Sequence, residues 1–366
     1  MKITKEHFIL ILLISLVTLV LITFNDCGNG GGRSIINEGQ ATIRLVSARD
    51  HIEGNFLGPQ AVYADEERIY LASVQGKLFV LARDRSADFP LLEVVQDTIF
   101  SLTAVRGDAS NLYVTSEDGN LRVYRKGLPL LLINTIRLSD IGLNSLALWD
   151  EKLYVGAGQA ALAVDEGHVY LSALNEGEIG LEIEKETLTP GITYGQTFEE
   201  NTTVVFDRNS ESRIAGVTNP SDISGRLSQV IPYVDNEILV LTIGGCCGSG
   251  IFIYDPKAFV LDQIIARLST NTVVRRDQWL IAGNEGGQVD VFDLRQNPSP
   301  LVSSADLRQL TGHTGSEDIE IRALWADDLD NLIFAGSSWG NDQSRSPSLP
   351  SFFVLELSVV AASASQ

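Results

Sequence analysis

Val62-Tyr-Ala-Asp65-Glu-Glu-Arg-Ile-Tyr-Leu-Ala-Ser73 and Val105-Arg-Gly-Asp108-Ala-Ser-Asn-Leu-Tyr-Val-Thr-Ser116 are two renderings of one phrase. An apolar strand ends in a turn Asp, and a second strand follows with an aromatic or Leu near its centre. The phrase returns as Leu148-Trp-Asp150-Glu-Lys-Leu-Tyr-Val-Gly156, Tyr233-Val-Asp235-Asn-Glu-Ile-Leu-Val-Leu241, Val274-Arg-Arg-Asp277-Gln-Trp-Leu-Ile-Ala282 and Trp325-Ala-Asp327-Asp-Leu-Asp-Asn-Leu-Ile-Phe-Ala335. Its aspartates stand 43, 42, 85, 42 and 50 residues apart. The double step hides a further unit. A period of roughly 40 to 45 residues is that of a four-stranded propeller blade. The chain therefore reads as all-β, a propeller of about seven four-stranded blades over residues 41–358.

Hairpin signals agree with that period. Gln75-Gly76, Asp118-Gly119 and Glu285-Gly286-Gly287 are short turns between alternating strands. The hidden blade is expected from Gly191-Ile-Thr-Tyr-Gly-Gln196 and Thr202-Thr-Val-Val-Phe-Asp207 around a Glu199-Glu-Asn201 turn. His168-Val-Tyr-Leu-Ser-Ala-Leu-Asn-Glu-Gly177 also fits the phrase, so six or eight blades stay open. Ala41–Ala48 is a spare strand ahead of the first unit. Open sheet edges invite aggregation, so it is expected to pair as the outer strand of the last blade.

Leu310-Thr-Gly-His313-Thr-Gly, a strand, and then Leu332-Ile-Phe-Ala-Gly-Ser-Ser338 resemble a WD40 repeat. In that family Gly-His opens the unit and Trp-Asp ends its third strand. Here the third strands are expected to end in Phe206-Asp207, Tyr254-Asp255 and Phe292-Asp293. The resemblance covers most of residues 41–358 as degenerate repeats and implies a WD40-like propeller, not a particular member. No unit carries the family's whole His, Ser, Asp and Trp set. The chain is also broadly similar to quinoprotein propellers, including lipoprotein scaffolds of outer-membrane assembly, but lacks their Gly followed by a docking Trp.

Ahead of the repeats, Phe8–Phe24 is an apolar run preceded by Lys2 and Lys5. That polarity keeps the start cytoplasmic and exports the rest. Residues 1–26 read as an apolar helix, a signal anchor or signal peptide, and 27–40 as a Gly-rich tether. Cys27-Gly-Asn-Gly-Gly-Gly-Arg-Ser34 resembles the start of a lipoprotein lipidated at Cys27, although Asp26 fits the lipobox poorly. An uncleaved anchor, lipidation and a free secreted form all stay open. Each puts the body outside the cytoplasm, in a periplasm or at a cell surface. Residues 359–366 read as a flexible tail.

The net charge of −20 repels phosphate backbones and argues against nucleic-acid binding. Such a field would attract basic partners or Ca²⁺, yet no acidic run has ligands at alternate positions around a Gly. Three cysteines are too few for a disulfide framework. The histidines lack metal-ligand spacing, and His313 reads as a structural hydrogen-bonding residue. No nucleophile elbow, His-Glu-x-x-His or P-loop occurs. No cofactor is therefore expected.

Two features stand out as candidate binding sites. Cys246-Cys247, in Ile243-Gly-Gly-Cys-Cys-Gly-Ser-Gly250, has the makings of a vicinal disulfide on a hairpin between second and third strands. The insertion Ser338-Trp339-Gly-Asn341-Asp342 to Pro350 occupies the equivalent hairpin two blades on, and so the same face. The expectation is a non-catalytic, membrane-tethered scaffold that binds a protein or glycan through this face, with Trp339, Asn341, Asp342, Cys246 and Cys247 as contact residues. The alternative is an enzyme, or a cofactor- or ion-binding propeller, with its site in the central channel. Matched polar residues from several blades would favour it.

Overall fold

The computed structural model describes residues 41–138 apart from 97, and 270–359 apart from 285, 297, 314–318 and 340–349; between 142 and 266 it describes the strand segments. Six antiparallel sheets of four strands are found among these residues. We call them sheets A (59–96), B (102–137), C (143–187), D (226–266), E (270–306) and F, which spans 319–359 and adds 41–49. In A to E the strands neighbour one another in chain order. The arrangement is propeller-like. Inner strands touch successive inner strands: that of F meets A, A meets B, B meets C, D meets E and E meets F.

The first three strands of sheets A and B, and those of sheet F, are largely buried on both sides, which explains their near-continuous apolar runs, while the outer strands are half-exposed. Alternation then divides one strand between two interfaces. In sheet A, Ile69, Leu71, Phe79 and Leu81 pack with Phe334, Phe352 and Val354 of sheet F. Tyr70, Ala72, Leu78 and Val80 pack with Val105, Leu112 and Val114 of sheet B. The core is thus a series of layers between blades.

Turn chemistry makes the recurring phrase physical. Asp65 accepts from the backbone N–H of Glu67 and Arg68 through one oxygen, and from the Tyr70 hydroxyl through the other at 3.1 Å. Asp108 repeats this with Ser110, Asn111 and Tyr113, the last at 2.8 Å. A short carboxylate capping its own turn is the Asx arrangement. Asp277 keeps the spacing but sits at φ 49, so its two-residue turn is built differently. On the opposite ends of the blades Gly76, Gly119 and Gly287 all adopt φ between 73 and 78, as the short hairpins require.

The spare strand latches the ring. Ala41–Arg49 runs antiparallel to Phe352–Val359 as the outer strand of sheet F, with Ala41 opposite Val359 and Arg49 opposite Phe352.

The expected hidden blade takes another form. Residues 192–218 hold two two-stranded pairs, Ile192–Thr193 with Gln196–Thr197 and Thr202–Phe206 with Ile214–Thr218. Thr202–Phe206 therefore does not pair across Glu199-Glu-Asn201. In sequence only Tyr194-Gly195 separates the strands of the first pair, and the polar stretch 207–213 separates those of the second. Phe206 accordingly ends a strand of a two-stranded pair, whereas Asp255 and Asp293 do end third strands. His168–Ala173 is the third strand of sheet C. The expected N-terminal helix and tether lie outside the described residues. Among the described residues no helix is long and apolar enough to cross a membrane.

Candidate functional site

The meander gives the ring two unlike ends. One carries the hairpins between second and third strands and the loops between sheets. The other carries the Asp turns between first and second strands and the connections from third to fourth. We refer to them as the hairpin face and the turn face.

Near the hairpin face every inner strand of the six sheets has a register shift at one matched place. The extra residues are Gln60, Thr103, Asn144, Ser228, Asn271 and Arg322, all polar within apolar strands. A bulge leaves one residue outside the ladder and re-aims it. The bulged residues stand 43, 41, 84, 43 and 51 residues apart, so the signal was present in the sequence as a second periodicity. Thr103 Oγ1 donates to the Leu143 carbonyl of the next sheet at 2.6 Å. Asn271 Nδ2 donates to Glu320 Oε1 at 3.0 Å, and the Arg322 guanidinium binds Glu320 Oε2 at 2.7 Å. Glu320 thereby joins the bulges of sheets E and F.

Beside this ring, the loop between sheets A and B presents Ile99, 86% exposed, and Phe100, 47% exposed. The loop is braced. Thr98 Oγ1 accepts from the Phe100 N–H at 3.1 Å, and Gly76 leaves no room for a Cβ beneath the Thr98 carbonyl. Next to it, burial pushes Asp118 up, but the Arg122 guanidinium at 2.7 Å and the Ser116 hydroxyl hold it well below the usual carboxylate range. In sheet E the buried Asp290 is pushed up by desolvation, against hydrogen bonds from Ser304 and Asn284.

The turn face is held by cations that cross between blades. Arg83 follows the third strand of sheet A, and its side chain is 4% exposed. It binds Asp327 at 2.7 Å and Asp330 at 2.8 Å in sheet F while lying over the Phe334 ring. Lys126 follows the third strand of sheet B and repeats the pattern. It binds Asp65 of sheet A at 2.8 Å and lies over Tyr70, the counterpart of Phe334. Burial pushes Asp65 and Asp327 up, but Lys126 and Arg83 outweigh it, and both carboxyls end below their ordinary value.

Of the residues expected to bind a partner, Trp339 alone lies among the described residues. Trp339 is not in the loop. It ends the strand Leu332–Trp339 and pairs with Ile319, because the second strand of sheet F runs longer than those of A and B. Asn341, Asp342, Cys246, Cys247 and Cys27 lie outside the described residues. The segments carrying Cys246-Cys247 and Asn341-Asp342 both join second to third strands, in sheets D and F. Ile99 and Phe100 were missed because an isolated apolar pair in a loop has no periodicity to mark it. His313 donates its backbone N–H to the Arg308 carbonyl. Among the described residues no group of three or more His, Cys, Asp or Glu side chains is placed to hold a metal.

No protein-family model matches the chain, and no curated protein does. Solved structures do. A chain of a mitotic checkpoint complex superposes with a TM-score of 0.58 at 8% identity, covering 87% of this chain and 94% of that one. The computationally designed protein Ika8 gives 0.51 at 12% identity, covering 86% and 99%. At such identities the likeness shows the fold alone: this chain is similar in architecture to these proteins, an all-β propeller-like ring of four-stranded sheets.

Proposed function

We propose that this chain is a non-catalytic interaction scaffold, a WD40-like propeller of seven blades tethered to a membrane through its N-terminus and acting outside the cytoplasm. The two strand pairs within 192–218 fall between sheets C and D in the chain, which supports a seventh unit there. Gln196–Thr197 touches the inner strand of sheet D, and Ile192–Thr193 touches sheet C. The observation that carries the scaffold reading is the braced, exposed Ile99–Phe100 pair on the hairpin face. Large apolar side chains held out on a rigid frame are what a protein partner buries. A photoreactive residue at position 100, activated in the protein's own membranes, is expected to form an adduct with one polypeptide. Adducts only with lipid or water would overturn the reading.

A second reading, a small-molecule or ion site in the channel, draws support from the matched polar bulges at Gln60, Thr103, Asn144, Ser228, Asn271 and Arg322. Native mass spectrometry of the protein extracted from its membranes separates the two. A retained small molecule that is lost in Asn271→Ala favours the channel, and a retained protein favours the face.

A further inference from the structure

Seven large apolar side chains are exposed among the described residues: Leu92, Ile99, Phe100, Leu128, Leu131, Leu132 and Leu329. Ile99 and Phe100 belong to the hairpin face. The five leucines gather at the other end of the ring. Leu329 lies in the Asp turn of sheet F, and Leu128 in the connection from third to fourth strand of sheet B. Leu131 and Leu132 open the fourth strand of sheet B, and Leu92 is the second residue of that in sheet A. Leu128, Leu131 and Leu329 are 50%, 57% and 55% exposed. The Leu130 N–H bonds Glu93 at 2.8 Å, which draws the leucines of sheets A and B together.

The chain enters the ring at this same end. The third strand of sheet F runs from the hairpin face to the turn face, and Ala41 pairs with its last residue, Val359. Sixteen residues of sequence, 25–40, lie between the apolar run Phe8–Phe24 and Ala41 at the turn face. On the turn face five carboxylates are paired with cations: Asp65 with Lys126, Asp327 and Asp330 with Arg83, Asp293 with Arg295, and Glu356 with Arg85. A chain of net charge −20 is otherwise repelled by an anionic surface.

We infer that the turn face rests on the lipid surface of the membrane that holds the N-terminus, with Leu92, Leu128, Leu131, Leu132 and Leu329 entering the headgroup region of zwitterionic lipid, and that the hairpin face points away from it. This rests on the tether reading above. It makes the face bearing Ile99 and Phe100 the free one.

The test uses the full chain in phosphatidylcholine vesicles, with hydroxyl-radical footprinting read by mass spectrometry and the same chain in detergent as reference. Labelling of Leu128, Leu131 and Leu329 is expected to fall severalfold on vesicles, while Ile99 and Phe100 are unchanged. Equal labelling of the leucines in both states overturns the inference. So does protection that grows with protein concentration at fixed lipid, which would mean a second copy covers the face. Vesicle flotation keeps the two readings apart. A chain that floats without leucine protection overturns the orientation alone, and a chain that does not float overturns the tether as well. The variant Leu128→Glu, Leu131→Glu, Leu329→Glu alters only exposed positions. It is expected to float as before but to lose protection at Leu92 and Leu132; protection that persists there counts against lipid contact.

Discussion

The two faces of the ring solve the same joining problem by different means. On the hairpin face, chain reversal is closed within each hairpin, with caps from Ser73, Asp118 and Asn284 of the same hairpin. Gly76, Gly119 and Gly287 take left-handed conformations, and each turn closes with a hydrogen bond to the residue three places earlier. On the turn face side chains also tie one blade to the next. An Asp caps its own turn, and at two junctions a cation from the following blade reaches back to it. Turns closed within one hairpin depend less on the next blade, so the hairpin face is freer to vary in length and composition. The clamped face is constrained by pairs that must change together. Binding loops are easier to evolve on the first kind of surface.

Arg83→Ala is the harshest way to break this contrast. It leaves Asp327 and Asp330 without their buried partner, and a loss of about 3 kcal/mol is expected in denaturant unfolding. An unchanged midpoint would mean that the clamp adds nothing beyond the apolar layers. Gly76→Ala attacks the other face. Its Cβ would lie 2.3 Å from the Thr98 carbonyl oxygen at φ 73, so about 2 kcal/mol is expected. Gly54→Ala, at φ 78 with no atom within 4 Å, should cost only about 1 kcal/mol and separates clash from conformational strain.

Lys126→Ala should cost about 1 kcal/mol, less than Arg83→Ala, because one ammonium replaces a fork binding two carboxylates. Acid gives the smallest effect. The folded-state values of Asp65 and Asp327 lie below the unfolded ones. Their contribution is thus complete above about pH 4 and is lost as pH falls through the folded values. The unfolding midpoint should decline below that pH, and less steeply in Asp327→Asn.

Local patterns made most of the architecture legible. Asp65 and Tyr70 lie five residues apart, as do Asp108 and Tyr113, so one short window holds both members of each turn hydrogen bond. The latch was legible because Ala41–Ala48 had no blade of its own. The clamps were not, since Lys126 and Asp65 meet across 61 residues and Arg83 and Asp327 across 244. No single repeat contains both partners. The bulges were missed for a different reason. Gln60 and Thr103 look like ordinary polar positions at a strand start, and their spacing gains a meaning only beside the pairing register. The pairing of residues 202–218 was misjudged because Glu199-Glu-Asn201 and 207–213 are equally good turn formers.

The latch strand also has a mechanical meaning. Ala41–Arg49 lies along Phe352–Val359 with its first residue at the turn face. Tension on the residues before Ala41, directed away from that face, pulls the strand along its own axis. All of its ladder hydrogen bonds then share the load and must fail together, whereas a pull at right angles would open them one at a time. A partner tugging on the hairpin face would therefore load the ring's closure in its strong direction.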